Sequence, residues 1–387
     1  MSSAFTVPVG EVADINPTFK SATISPDELV DFLPMAAVDE GNSVALATEY
    51  RPLSDVQKGY TNFNDGDVLL AKITPCFENG KIAQVRLKHR CGFGSTEFHV
   101  LRPHAKKLDG RYLVHFLRRD EIRIDGARKM TGSAGQRRVP KHYLESLPIY
   151  LPALSEQRRI AAILDQADSL RAKRREALAQ LESLSQSIFV EMFGDPVANP
   201  KRFPAKTLGE IIKFEGGSQP PASTFSSEDA PDRIRLVQIR DFKSDRFKTY
   251  IPRKLSKRFF EEDDVMIGRY GPPVFQILRG LAGSYNVALM KAVPRDGVTK
   301  DFVFHLLKEE RLHKFVVANS ERTAGQSGVN LELLEKYQAY LPPIELQIQF
   351  SKQMAQLKTM AKSMNDAQDE SDSLFASLQH RAFRGEL

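Results

Sequence analysis

The sequence predicts an α+β fold: two tandem-repeated α/β domains separated by two long antiparallel coiled-coil helices, with pseudo-two-fold symmetry. Three observations predict it. The chain echoes itself, Tyr150 answering Tyr340, at an offset of 190 residues. Two segments carry a heptad pattern. The remaining stretches alternate short apolar runs with turn residues.

The repeat is densest around a joint. "YLPALSEQRRI" (Tyr150–Ile160) returns as "YLPPIELQIQF" (Tyr340–Phe350). Aligned without gaps, residues 134–193 and 324–383 share 16 identities in 60 positions, where roughly three or four arise by chance. Upstream, with gaps, "VGEV" (Val9–Val12) echoes "LGEI" (Leu208–Ile211), "GDVLLAKITP" (Gly66–Pro75) echoes "DDVMIGRYGP" (Asp263–Pro272), and "YLVHFL" (Tyr112–Leu117) echoes "FVFHLL" (Phe302–Leu307). The whole chain therefore reads as a tandem duplication: domains over 1–153 and 194–343, each followed by a long helix, over 154–193 and 344–387.

Alternating steps of three and four residues pass through Ile160, Ile163, Ala167, Leu170, Arg174, Ala177, Leu181, Leu184 and Ile188, eight of them apolar. The same register in the second copy passes through Phe350, Gln353, Leu357, Met360, Met364, Ala367, Ser371, Leu374 and Leu378, seven of them apolar. So narrow a stripe on a charged helix needs another helix, and the other copy is the expected partner, running antiparallel. The alternative is two amphipathic helices packed separately on their own domains. Gly194, Asp195 and Pro196 stop the first helix, and 38 residues at 1.5 Å rise span roughly 57 Å.

Within each domain "DVLLAKI", "KIAQVRL" and "EFHVLRP", then "RIRLVQIRDF", "DVMIGRY" and "NVALMKAV", read as strands of a twisted, mostly antiparallel sheet. Helical text and a Gly/Ser loop follow in both. His115 and His305 hold equivalent positions on the helical text, which favours packing over chemistry.

At 387 residues, with 41% hydrophobic and 27% charged residues, the chain has the composition of a globular protein of two or three domains. No apolar run approaches the roughly 20 residues of a membrane span, so no membrane partner is expected. The start "MSSAFTVPVGEVADIN" lacks the features of a signal peptide, and two cysteines, Cys76 and Cys91, suit a reducing, cytoplasmic location. Net charge is +6. Residues 155–192 carry six Lys/Arg and six Asp/Glu, and residues 345–387 carry five and six, so the remainder holds +7. That excess outside the helices is a mild sign of a polyanionic partner.

Small residues beside basic ones let backbone N–H groups approach phosphate. "TGSAGQRR" (Thr131–Arg138) fits, offering Ser133, Gln136, Arg137 and Arg138; "TAGQSG" (Thr323–Gly328) echoes it with Gln326 and Ser327. A plain structural turn is the competing reading. "AKITPCFENGK" (Ala71–Lys81) and "GRYGPPVFQ" (Gly268–Gln276) follow apolar strands and offer Lys72, Thr74, Asn79, Lys81, Arg269, Tyr270 and Gln276, donor-rich side chains of the kind that read base edges. No P-loop, no GxGxxG after a strand and no Asn/Asp-Pro-Pro-aromatic stretch occurs. Cys76, Cys91, His89 and His99 match no zinc spacing. Asp232, Asp241 and Lys243 form a nuclease-like pattern, but Asp241 also reads as a turn residue closing a strand. No catalytic, cofactor or metal residue is assigned in this chain.

The text "LPALSEQRRIAAILDQADSL", continuing to "SIFVEMFGDPVANPKRFP" and "KTLGEI", resembles the specificity subunit of type I restriction–modification systems. "LPPIELQIQF", "LFASLQHRAFRGEL" and "GDVLLAKITPCFENGKIA" carry the same resemblance, which covers essentially the full chain; Leu346 departs from it, standing where the first copy has Glu156. The resemblance implies a non-catalytic, sequence-specific subunit that binds double-stranded DNA. Two target-recognition domains would each read half of a bipartite, asymmetric site, with the paired helices as a ruler. It also implies two docked methyltransferase subunits that carry S-adenosylmethionine and methylate adenine, with two restriction/helicase subunits as optional further partners. A ruler of roughly 57 Å allows half-site centres up to about 17 base pairs apart. The alternative from a different class is a coiled-coil scaffold whose globular ends bind proteins.

Overall fold

The structure, a computed structural model, describes residues 6–18, 24–133, 135–195, 199–271, 273–323 and 326–387, with the backbone alone at 182, 321–323, 326 and 327. Of the positions named above, Ala134, Pro196, Pro272, Ala324 and Gly325 lie outside the described residues. The chain forms two compact units, Met1–Glu176 with Asn365–Leu387, and Ala177–Met364. Each is mixed α/β.

In the first unit a five-stranded sheet runs in the order Ala13–Ile15, Phe98–Pro103, Val68–Ala71, Ile82–Arg86, Val44–Leu46. It is antiparallel except at its Val44–Leu46 edge. A four-stranded sheet follows the order Glu49–Pro52, Leu29–Leu33, Gly92–Gly94, Thr61–Phe63, with Leu29–Leu33 and Gly92–Gly94 parallel. The second unit repeats this plan. Ile212–Gly216, Leu289–Pro294, Val265–Gly268 and Gln276–Leu278 form an antiparallel sheet. Tyr250–Pro252, Arg233–Val237, Gly283–Tyr285 and Phe259–Phe260 form the other, again with its middle pair parallel. Each half thus holds two sheets of four or five strands, where the sequence suggests one.

Local chemistry repeats with the plan. The strand Val68–Ala71 is introduced by Asp67, which accepts from Asn64 N at 2.7 Å and pairs with Arg102 at 2.7 Å. Its counterpart Asp264 accepts from Glu261 N at 2.9 Å and pairs with Lys291 and Lys300 at 2.5 and 2.7 Å. Both carboxylates are buried, so each needs its cation and its turn N–H to offset desolvation.

The long helices span Leu154–Phe193 and Ile344–Ala382. The strand before each closes its domain by pairing with that domain's first strand: Pro148–Tyr150 with Thr6–Pro8, and Gln338–Tyr340 with Ala205–Thr207. One turn into each helix stands a fully buried glutamine. Gln157 accepts from Asp109 N at 2.9 Å and donates to Lys107 O at 2.9 Å and Pro152 O at 2.8 Å. Gln347 accepts from Thr299 N at 3.0 Å and donates to Gly297 O at 3.2 Å and Pro342 O at 2.8 Å. The primary amide behaves as an extra peptide group, tying the helix start to the loop that enters the preceding short helix (Gly110–Leu117 or Lys300–Leu307).

In the first unit the helices meet in opposite senses: Arg159 reaches Leu387 O at 2.9 Å, Arg171 reaches Asp372 at 2.5 Å, and Arg174 reaches Ala367 O at 2.8 Å and Ser371. Ile160, Leu164, Ala382 and Phe383 share one apolar core there. In the second unit Phe189 and Phe193 pack edge-on against Phe350.

The heptad reading needs a correction. Ile160, Leu181, Ile188, Phe350, Leu357, Met364 and Leu378 face inward, fully or in part, and Ile163 is half-buried. Leu170, Leu184, Met360 and Leu374 are 57, 45, 53 and 60% exposed. The inward step is four residues, not three, and selects Leu164, Arg171, Leu178 and Ser185, then Met354, Ala361, Gln368 and Phe375. Apolar content favoured the wrong phase because the true seam admits polar groups that find partners: Arg171 and Arg174 as above, and Gln368, which donates to Asp372 at 2.9 Å.

Leu164→Ala is expected to destabilise the protein by about 2–5 kcal/mol and Leu170→Ala by under about 0.5 kcal/mol, as read from paired urea unfolding curves. Equal losses would restore the original phase. Gln157→Leu and Gln347→Leu each strand backbone groups and should cost about 2–4 kcal/mol, seen as a lowered melting temperature of the variant.

Candidate nucleic-acid interface

The loop after the strand Val68–Ala71 and the loop before the short helix Lys141–Glu145 are far apart in sequence. The fold latches them together. Val139 N donates to Lys72 O at 2.8 Å, Thr74 N donates to Arg137 O at 2.9 Å, and Ile73 bridges to Arg138. The second unit does the same at repeat-equivalent positions: Val329 N donates to Arg269 O at 3.0 Å, and Tyr270 bridges to Gly328. The four sequence-predicted loops thus become two platforms, one per unit, on one backbone pattern.

Side chains differ on that common backbone. At Gly328 a Cβ would stand 2.9 Å from the Tyr270 ring, so the aromatic ring requires glycine opposite it; the first unit carries Arg138 opposite Ile73. In the first unit Arg138 forks onto Glu97 at 2.8 and 2.7 Å, and that hydrogen bond holds the Glu97 carboxyl below its ordinary range. The latch is also held from the sheet. His99 Nε2 lies 2.9 Å from Val139 O and its Nδ1 lies 3.0 Å from Asn16 Nδ2, which fits a neutral ring donating at one nitrogen and accepting at the other. Burial lowers its pKa in keeping with that state.

The remaining predicted residues divide by what already holds them. Ser133, Gln136 and Arg137 are exposed; Lys72 and Lys81 are half-buried. Thr74 donates to Glu78 at 2.9 Å and Asn79 to Glu40 at 2.8 Å, so both side chains are already engaged within the unit. Arg123 assists by donating to Glu78 O at 2.8 Å; nothing in its local text singles it out. Arg269 lies 5.2 Å from the centre of the Tyr270 ring, and Gln276 donates to Pro273 O at 3.0 Å. Gln326 and Ser327 lie on the strand Gln326–Gly328, and their side chains fall outside the described residues. Asp241 of the nuclease-like pattern is buried and accepts from Gln238 N at 2.8 Å, capping its own turn. His115 is buried against Asp165, 2.7 Å away. Burial opposes ionisation of Asp165, but His115 and Arg111 outweigh it and hold the carboxyl at about 2.

Residues 4–183 match the family model of the type I restriction modification DNA specificity domain. Over those residues the chain is similar to that domain. Over 161 residues it is 41% identical to the type I restriction enzyme EcoAI specificity subunit of Escherichia coli, covering 41% of this chain and 27% of that relative. The matched stretch is thus well under two thirds of that relative's length. Over 339 residues it is 23% identical to the type I restriction enzyme StySPI specificity subunit of Salmonella potsdam, covering 80% of this chain and 72% of the relative. A solved chain described under complex assembly and conformational transition of the type I R-M system superposes with a TM-score of 0.58 at 22% identity, over 99% of this chain and 98% of that one. That likeness is one of fold. The matched stretch, residues 4–183, contains the first platform whole. No helix among the described residues is long and apolar enough to cross a membrane.

Because Glu97 already neutralises Arg138, Arg137→Ala should flatten the plot of log affinity against log salt by about 0.9, while Arg138→Ala leaves it unchanged. Fluorescence anisotropy with labelled duplex checks this; the reverse ranking would remove Arg137 from the interface.

Proposed function

We propose that this chain is the sequence-specific DNA-binding subunit of a type I restriction–modification complex. Residues 1–153 and 194–343 are its target-recognition domains, and the helices over 154–193 and 344–387 pair along their length as an antiparallel coiled coil. The observation that carries this reading is the recurrence of one latched two-loop platform in both halves, with different side chains on it. One backbone pattern presented twice suits two half-sites; different side chains make the site asymmetric. Phosphate contacts would position each platform and side chains at base edges would discriminate. Lys72, Lys81, Ser133, Gln136, Arg137, Arg269, Tyr270, Gln276, Gln326 and Ser327 are the candidates for contact, with Thr74, Asn79 and Arg138 supporting the loops.

The chemistry belongs to partners. Two methyltransferase subunits bearing S-adenosylmethionine dock on this chain and methylate adenine, and restriction/helicase subunits complete the complex where they occur, in the cytoplasm. Arg171, Arg174, Gln368 and Ser371 fix the phase of the helical ruler rather than adding stability.

Co-expression with the methyltransferase encoded beside it, followed by mapping of modified adenines across the host genome, tests the reading. A split, asymmetric motif that disappears without this chain is expected. Exchanging residues 1–153 for another recognition domain should alter one half-site alone. Absence of any new motif beside an active methyltransferase would favour the scaffold alternative.

A further inference from the structure

The two units build the same four-stranded sheet from segments of opposite charge. Residues 29–58 of the first unit hold two Lys/Arg (Arg51, Lys58) and five Asp/Glu, a net −3. Residues 233–258 of the second hold ten Lys/Arg and two Asp (Asp241, Asp245), a net +8. Strand order and the parallel central pair are the same in both. The fold therefore does not demand the positive charge, and packing it so densely costs self-repulsion that only a counter-charge relieves.

Five of the ten cations are also left uncommitted, while Arg240 and Arg258 lie 3.8 and 3.9 Å from Asp241 and Glu215. Asp245 is occupied by Arg235 and Lys248, each at 2.9 Å, and Asp241 is buried in its turn. Lys243, Arg246, Arg253, Lys254 and Lys257 are exposed and have no carboxylate partner among the described residues. Among them stands Phe247, 56% exposed, with the guanidinium groups of Arg240 and Arg246 at 5.6 and 5.2 Å from its ring centre. A ring held in water between two cations serves no core. It suits stacking or wedging against a nucleotide. The patch adjoins the second platform: a Cβ at Gly268, where the strand enters the Arg269 loop, would lie 3.3 Å from Ile239 Cδ1, on the turn that carries Arg240.

We infer that residues 233–258 form a duplex-DNA backbone grip in the second unit alone, with Phe247 as its aromatic contact. This rests on the DNA-binding reading above and adds a division of labour. The second unit supplies sequence-independent, salt-sensitive affinity beside its half-site, and the first reads its half-site without such a grip.

The test uses the full chain with its methyltransferase partner and a fluorescein-labelled duplex carrying the mapped target. The variant K243Q/R246Q/K254Q/K257Q should make the slope of log affinity against log salt shallower by about three to four while leaving the methylated motif unchanged. The charge-keeping variant K243R/R246K/K254R/K257R should retain the wild-type slope. F247A should weaken binding by about tenfold at unaltered slope. Should the fourfold glutamine variant lose its fold, K254Q/K257Q carries the same test, with a slope shallower by about two. A wild-type slope in the glutamine variants, beside salt-dependent wild-type binding, overturns the grip. Absence of salt-dependent binding by the wild type overturns the DNA-binding reading itself.

Discussion

A single primary amide, used twice, sets how each domain hands over to its helix. Gln157 and Gln347 are buried without exposure, and each spends its carbonyl on one backbone N–H and its amino group on two carbonyls. The first turn of any helix leaves N–H groups without intrahelical partners, and a chain turning from strand to helix leaves carbonyls in the same state. A glutamine at this point satisfies the approaching loop rather than its own helix. It therefore couples two segments that would otherwise move separately. The strand before each helix is meanwhile pinned to the domain's first strand. With both ends of the joint tied, the direction in which the helix leaves the sheet is set by hydrogen-bond geometry and not by loop length.

Beyond the joints the two units diverge in how they hold their helices. The first adds charge to the packing of Phe383 on Tyr112 and Phe116: Arg171 meets Asp168 and Asp372, and Arg111 and His115 meet Asp165. The second relies more on aromatic packing, with Phe189 and Phe193 against each other and each against Phe302 and Phe350. Partly buried ion pairs add little net stability after desolvation, but they are unforgiving of register, because a slip of one residue strands a charge. Aromatic clusters bury more area and tolerate small shifts better.

The repeat, the span of both helices and the place of the donor-rich loops were legible in the text. They depend on local periodicity and on Gly, Pro and polar punctuation, which one sequence displays. The phase of the helical seam was not. Leu170 and Leu374 read as core because apolar residues outnumber alternatives along that stripe, yet Arg171 and Gln368 take the inward places. An arginine can occupy a seam only if a partner such as Asp372 arrives from 201 residues away, and no window of sequence reports that. The commitment of Arg138 to Glu97, of Thr74 to Glu78 and of Asn79 to Glu40 was hidden for the same reason. The basic run from Arg233 to Arg258 was visible as text, but its meaning needed the matching sheet of the first unit, where the same strands carry acid.

Sequence alone, then, determined that this is a duplicated chain of sheet domains and long helices with donor-rich loops at repeated places, since each follows from spacing along the backbone. Only the tertiary structure decided which donors are free. Ile73 meets Arg138 and Tyr270 meets Gly328 through pairings that bring distant segments within hydrogen-bond reach. Whether a cation faces solvent or a carboxylate depends on those long-range approaches, and the energy of a charge depends on what surrounds it more than on the residues beside it in the chain.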